Sequence, residues 1–148
     1  MKILVIDGPN LNLLGVREPS VYGTRSYREL KDYVNQSAAE LGLEIEQFQS
    51  NWEGAIVDRI QKAYGRFDGI VINAAAYTHT SVAILDALKA VDLPAVEVHL
   101  SDPEKREAFR RVSFVGMACE KRFAGFGFEG YRQAILFLKD YLRGESAT

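Results

Sequence analysis

The sequence predicts an α/β protein: a doubly wound parallel sheet of five strands in three α/β/α layers. Three observations carry that expectation. Ile3-Leu4-Val5-Ile6 and Gly69-Ile70-Val71-Ile72-Asn73 are short continuous apolar runs, the composition of parallel strands buried on both faces. Segments with apolar residues at helical spacing separate such runs, so strands and helices alternate along the chain. The 148 residues, 47% hydrophobic, make one catalytic-sized domain able to bury about two-thirds of its unfolded surface.

Residues 3–6 form the first central strand. A polar stretch punctuated by Gly and Pro follows over residues 7–25. Ser26 and Glu29 have capping-box spacing, and Leu30, Tyr33, Val34, Ser37, Ala38 and Leu41 continue the helix they open. Gly42 stops it. Residues 43–49 alternate apolar and polar, the pattern of a half-exposed strand nearer the sheet edge. Residues 53–64 read as a second helix, with Ile56, Val57, Ile60 and Tyr64 on one face. After the buried strand at 69–73 come a third helix over 80–90 and a fourth strand over 94–98. Asp102-Pro103 starts a short helix with proline at its first position. A weak fifth strand is expected at 122–125, its charged approach Glu120-Lys121-Arg122 suiting an edge. A closing helix spans 131–142, and 144–148 is expected as a loose tail.

Five alternating strands favour the flavodoxin-like order 2-1-3-4-5, which reverses direction between the first and third strands. Ligands bind beyond the C-terminal strand ends at such a reversal, so the loops at 7–25, 74–80 and 99–102 carry the expected site.

Composition excludes several functions. Lys plus Arg number 18 against 20 Asp plus Glu, a net charge of -2 with no basic field for nucleic acid. The one cysteine, Cys119, can make neither an internal disulfide nor a cysteine zinc site, which points to a reducing, cytoplasmic setting. No apolar run approaches the roughly 18 residues of a membrane span. Gly125-Phe126-Gly127-Phe128-Glu129-Gly130 matches a dinucleotide fingerprint by letter, but no strand follows to carry the ribose-binding acid. It reads as tight strand-to-helix packing.

The two histidines, His79 and His99, both fall in the expected site loops. Glu97 lies two residues before His99 and so shares its strand face, where it can orient the imidazole as a general acid. Glu97 as a satisfied polar group, or the three residues as a metal set, are the other readings of that spacing. The long first loop offers Asn10, Asn12, Arg17 and Tyr22. A close arginine would favour a tyrosine phenolate, and a shift of ~2 pKa units needs about 2.7 kcal/mol. An ordinary solvated arginine and tyrosine fit the same loop. An FMN carrier would want a Ser/Thr-rich phosphate loop, which Asp7-Gly8-Pro9-Asn10 does not supply.

Taken together, Gly8-Pro9-Asn10-Leu11-Asn12-Leu13-Leu14-Gly15, Arg17-Glu18-Pro19, Tyr22-Gly23, Gln49-Ser50-Asn51, Ala76-Tyr77-Thr78-His79-Thr80-Ser81, Glu97-Val98-His99-Leu100-Ser101, Gly125-Phe126-Gly127 and Gly130-Tyr131 closely resemble the type II 3-dehydroquinate dehydratases. The resemblance implies dehydration of 3-dehydroquinate through an enolate, with no metal, cofactor or Schiff base, in a trimer-based homo-oligomer that reaches a dodecamer. It implies Tyr22 as base, Arg17 holding its phenolate, Asn12 positioning a water at the enolate oxygen, and His99, oriented by Glu97, as acid. It implies the amides of Leu100 and Ser101 as carboxylate donors, with Asn73, His79 and Arg110 on the ring hydroxyls and Asp86 reaching in from a neighbouring subunit. Asp7, Trp52, Ala74-Ala75 and Asp102-Pro103-Glu104-Lys105 depart from the family pattern.

Overall fold

Strands β1 (Lys2–Asp7), β2 (Glu44–Gln49), β3 (Gly69–Asn73), β4 (Ala95–His99) and β5 (Lys121–Ala124) form one all-parallel sheet in the order β2-β1-β3-β4-β5. This is the topology the apolar runs predict. The computed structural model describes residues 1–16, 18–22 and 24–144; the expected tail, beyond Gly144, lies outside the described residues.

The helices are α1 (Pro19–Tyr22), α2 (Tyr27–Glu40), α3 (Glu53–Ala63), α4 (Val82–Val91) and α5 (Glu129–Leu142). Period-two side-chain alternation assigns each strand residue to a layer. Ile3, Val5, Val71, Val96 and Val98 pack with α2 and α5, while Leu4, Ile6, Ile70, Ile72 and Ala95 pack with α3 and α4. Every residue of β3 and β4 is buried. At about 1.5–3 kcal/mol per large apolar side chain removed from water, these central strands fix the register.

Local signals set the helix starts. Ser26 Oγ accepts from the Glu29 N–H at 3.1 Å and the Glu29 carboxylate reaches back toward the Ser26 N–H, completing the predicted capping box. Ser81 Oγ accepts from the Ile84 N–H at 3.0 Å and caps α4. Several details differ from the pattern reading. The 7–25 stretch is not wholly irregular: it holds a 3₁₀ turn, Leu11–Leu13, and α1, because Leu11 and Leu14 join the α2/α5 core. The fifth strand begins one residue earlier than expected, and the last helix begins at Glu129 because Gly125 and Gly127, at φ 86° and 58°, turn the chain sharply. The helix expected at Asp102-Pro103 is a single 3₁₀ turn, Pro103–Lys105, with the Asp102 carboxylate accepting from the Glu104 N–H.

Polar residues close three of the strands: Asp7, Asn73 and His99 are the last residues of β1, β3 and β4, with Glu97 inside β4 two residues before His99, and Asp7 pairs with Asn73 in register. The β1 and β3 ends are locked together. The Gly8 N–H donates to the Asn73 carbonyl at 2.8 Å, and a Cβ at position 8 would lie 2.3 Å from the Ala74 carbonyl oxygen. Among the described residues no helix is long and apolar enough to cross a membrane.

Candidate active site

A cleft opens beyond the ends of β1, β3 and β4, at the reversal in strand order where doubly wound sheets bind ligands. The three predicted loops wall it. Asn10 and Leu11 come from the first, Ala75, Ala76 and His79 from the second, and Leu100, Ser101, Pro103, Arg106 and Arg110 from the third and its continuation, with Asn73 and His99 from the strand ends themselves.

Glu97 and His99 share a face of β4, and the His99 Nε2 lies 2.6 Å from Glu97 Oε2. Ser113 Oγ donates to the same carboxylate oxygen at 2.6 Å, and the Arg122 guanidinium stands 3.8 Å from Oε1. Burial alone would raise the Glu97 carboxyl, but the hydrogen bond from His99, its charge, Ser113 and Arg122 outweigh that and hold it below the ordinary glutamate range. An ionised carboxylate only accepts, so Nε2 of His99 must carry a proton. That leaves Nδ1 as the nitrogen free to exchange a proton with a ligand. Gly116 makes room for the pair: a Cβ there would sit 2.7 Å from Glu97 Oε1.

His79 stands beside His99, the rings 6.5 Å apart and 17° from parallel. Its Nδ1 lies 2.7 Å from the Val112 carbonyl, so Nδ1 donates and Nε2 is left to accept. Partial burial, more than the neighbouring charges, lowers its pKa and keeps it neutral at pH 7. An imidazole in that state suits a hydroxyl donor.

At the β1 and β3 ends a second polar network is closed. Asp7 Oδ1 accepts from the Tyr131 hydroxyl at 2.6 Å and Oδ2 from the Tyr27 hydroxyl at 3.0 Å. Asn73 Nδ2 donates to the Tyr131 oxygen at 3.0 Å, and its Oδ1 accepts from the Ala75 N–H at 3.1 Å. Burial pushes the Asp7 carboxyl up to about 6, the two phenols only partly opposing it.

The sequence expectations separate into three groups. His99, Glu97, Asn73, His79, Leu100, Ser101 and Arg110 are at the cleft or directly beneath it. Asn12 and Asp86 are exposed and stand outside it, Asn12 in a separate depression beside Tyr27 and Lys31 with Gln49 Nε2 at 3.5 Å from its Oδ1. Arg17 and the side chain of Tyr22, which closes α1, lie outside the described residues. Pattern reading missed Arg106, which lines the cleft and sits 3.7 Å from Glu18; a cation three residues after the Pro103 turn was the available signal. It also missed Ser113, for which no local signal exists. The Gly-rich segment supports the site from behind: the N–H groups of Gly125 and Gly127 donate to the His99 and Leu100 carbonyls at 3.2 and 3.1 Å. Cys119 is half-buried and donates to the Val115 carbonyl, burial holding its thiol well above the usual range.

Residues 1–139 match the family model described as dehydroquinase class II. The chain is 51% identical over 146 residues to the 3-dehydroquinate dehydratase of Clostridium perfringens strain 13, covering 98% of this chain and 100% of that one. It is 55% identical over 143 residues to the protein of the same name from Geotalea daltonii, covering 97% and 99%. The crystal structure of a type II dehydroquinase from Butyrivibrio crossotus superposes with a TM-score of 0.92 at 48% identity, over 94% of this chain and 97% of that one.

Proposed function

Because the chain belongs to the class II dehydroquinase family, we propose that it is a lyase that dehydrates 3-dehydroquinate reversibly to 3-dehydroshikimate, the whole chain acting as one catalytic domain. The observation that carries the reading is the buried Glu97–His99 pair, with Nε2 engaged and Nδ1 left over, in a cleft at the strand reversal.

The chemistry divides between a base and an acid. Tyr22, as phenolate, takes the proton beside the ketone, and the C–H electrons pass into an enolate. Arg17 holds the phenolate and stabilises the developing charge; Asn12, which stands outside the cleft, positions a water at the enolate oxygen only once the first loop brings it in. The enolate then expels the β-hydroxyl while His99 delivers the Nδ1 proton to it, so that water leaves and a conjugated enone remains. The ionised Glu97 fixes the ring by accepting from Nε2–H, which leaves Nδ1 to make the transfer. The Leu100 and Ser101 amides receive the substrate carboxylate, and Asn73, neutral His79 and Arg110 bind the ring hydroxyls. Asp86 completes the site from a neighbouring subunit, which requires at least a trimer and fits a dodecamer of four. Among the described residues no lysine lines the cleft to form an imine, and the groups named need no cofactor. The product class and the cytoplasmic setting suit the shikimate pathway or quinate breakdown.

Incubation with 3-dehydroquinate should raise the ultraviolet absorbance of the enone, and borohydride added with substrate should leave activity and protein mass unchanged. No absorbance rise would remove the activity; a substrate-dependent adduct on lysine would remove the enolate route. Tyr22→Phe should abolish nearly all turnover.

A further inference from the structure

We propose that Asp7 and Tyr131 are positioning residues for substrate binding: together they fix which end of the Asn73 amide faces which neighbour. The inference rests on the substrate contact proposed for Asn73 and goes one layer beneath it.

Donor and acceptor counting makes the chain directional. An ionised carboxylate has no proton to give, so both phenols that contact Asp7 must be donors. Tyr131 has one hydroxyl proton, and Asp7 takes it at 2.6 Å. The Tyr131 oxygen can therefore only accept on its other side, and what it accepts is the Nδ2–H of Asn73. The opposite end of the same amide meets the Ala75 N–H, a donor, which needs the oxygen there. A flipped amide would set donor against donor at Ala75. One N–H and one lone pair of Asn73 then remain for a ligand in the cleft, in a fixed arrangement.

Burial makes the arrangement strict. Asp7 and Tyr131 are fully buried and Asn73 nearly so, so water is not available to repair a mismatched contact. Asp7 also spans the two halves of the switch point: it ends β1, pairs in register with Asn73 on β3, and binds Tyr27 from α2 and Tyr131 from α5. Tyr27 is the contrasting neighbour. It bonds the same carboxylate through the other oxygen and has no hydrogen bond to Asn73.

Three single variants and one double variant test the relay by steady-state kinetics with 3-dehydroquinate. Tyr131→Phe keeps the ring and removes the hydroxyl, and should raise KM about five- to tenfold with kcat changed less than about twofold. Tyr27→Phe removes the other hydrogen bond to Asp7 and should leave KM where it is. Asn73→Ala should raise KM, and adding Tyr131→Phe to it should raise KM no further, because the hydroxyl acts only through Asn73. Equal KM effects of Tyr131→Phe and Tyr27→Phe, or an undiminished effect of Tyr131→Phe in the Asn73→Ala background, would overturn the proposal. An unchanged KM in Asn73→Ala alone would instead overturn the substrate contact on which it rests. If Tyr131→Phe does not fold, side-chain amide exchange in the unaltered protein answers the same question. One Asn73 Nδ2 proton should be protected, and two exchanging at the rate of an exposed amide would overturn the relay.

Discussion

Asp7 and Glu97 are both buried carboxylates near the C-terminal ends of central strands, yet their surroundings move them in opposite directions. Asp7 is raised to about 6 and Glu97 is held below its ordinary range. Burial is common to both, so it cannot explain the difference. The partners do. Asp7 receives hydrogen bonds from two neutral phenols, which stabilise the anion without bringing positive charge. Glu97 receives a hydroxyl and an imidazole and has a guanidinium beside it, which brings positive charge. One carboxylate is thus an anion held by uncharged partners in a network that sets geometry. The other is one half of a histidine–carboxylate pair beneath the cleft, with a guanidinium beside it.

The comparison can be broken at several points. The largest effect is expected at His99→Ala, which removes the acid and should lower turnover about 10³-fold; a loss below about tenfold would mean the leaving hydroxyl finds its proton elsewhere. Glu97→Gln keeps the imidazole but replaces the anion that accepts its Nε2–H, so a loss of about 10²-fold in kcat with little change in KM is expected. Steady-state assays on both variants give the order.

Stability distinguishes the other carboxylate. Asp7 has a folded value of about 6 against about 3.9 for an unfolded aspartate. The folded state therefore binds more protons between those two values, and the stability is lost as pH rises through that window. Asp7→Asn removes the penalty and should stabilise the protein by about 1–3 kcal/mol at pH 7.5, the gain fading toward pH 4. Denaturant unfolding at both values checks it. The smallest effect belongs to Ala75, which holds φ 52° in the left-handed region beside Asn73. Ala75→Gly should raise stability by about 0.5–1 kcal/mol, visible as a shift in the unfolding midpoint.

Much of the fold was legible because short-range patterns announce it, apolar runs for the parallel central strands and helical spacing between them. Glu97 and His99 were legible for the same reason, being two apart on one strand. The Asp7 network was not, since its partners lie 20 and 124 residues away and meet only when α2 and α5 pack on the same sheet face. Ser113 is equally silent in sequence: it reaches Glu97 from a loop 16 residues downstream. The first loop showed its polar groups but not its 3₁₀ turn, because Leu11 and Leu14 reveal their burial only against the finished core. Identity of the substrate came from none of these patterns and rests on the family to which the chain belongs.

A carbon-13 titration of the side-chain carboxyls, read for Asp7 and Glu97 in one sample, tests the contrast most directly. Asp7 should titrate near 6 and Glu97 below the ordinary glutamate value of about 4.3. A Glu97 midpoint at or above that of Asp7 would contradict it, since the carboxylate under His99 would then be neutral in the range where the imidazole has to act as an acid.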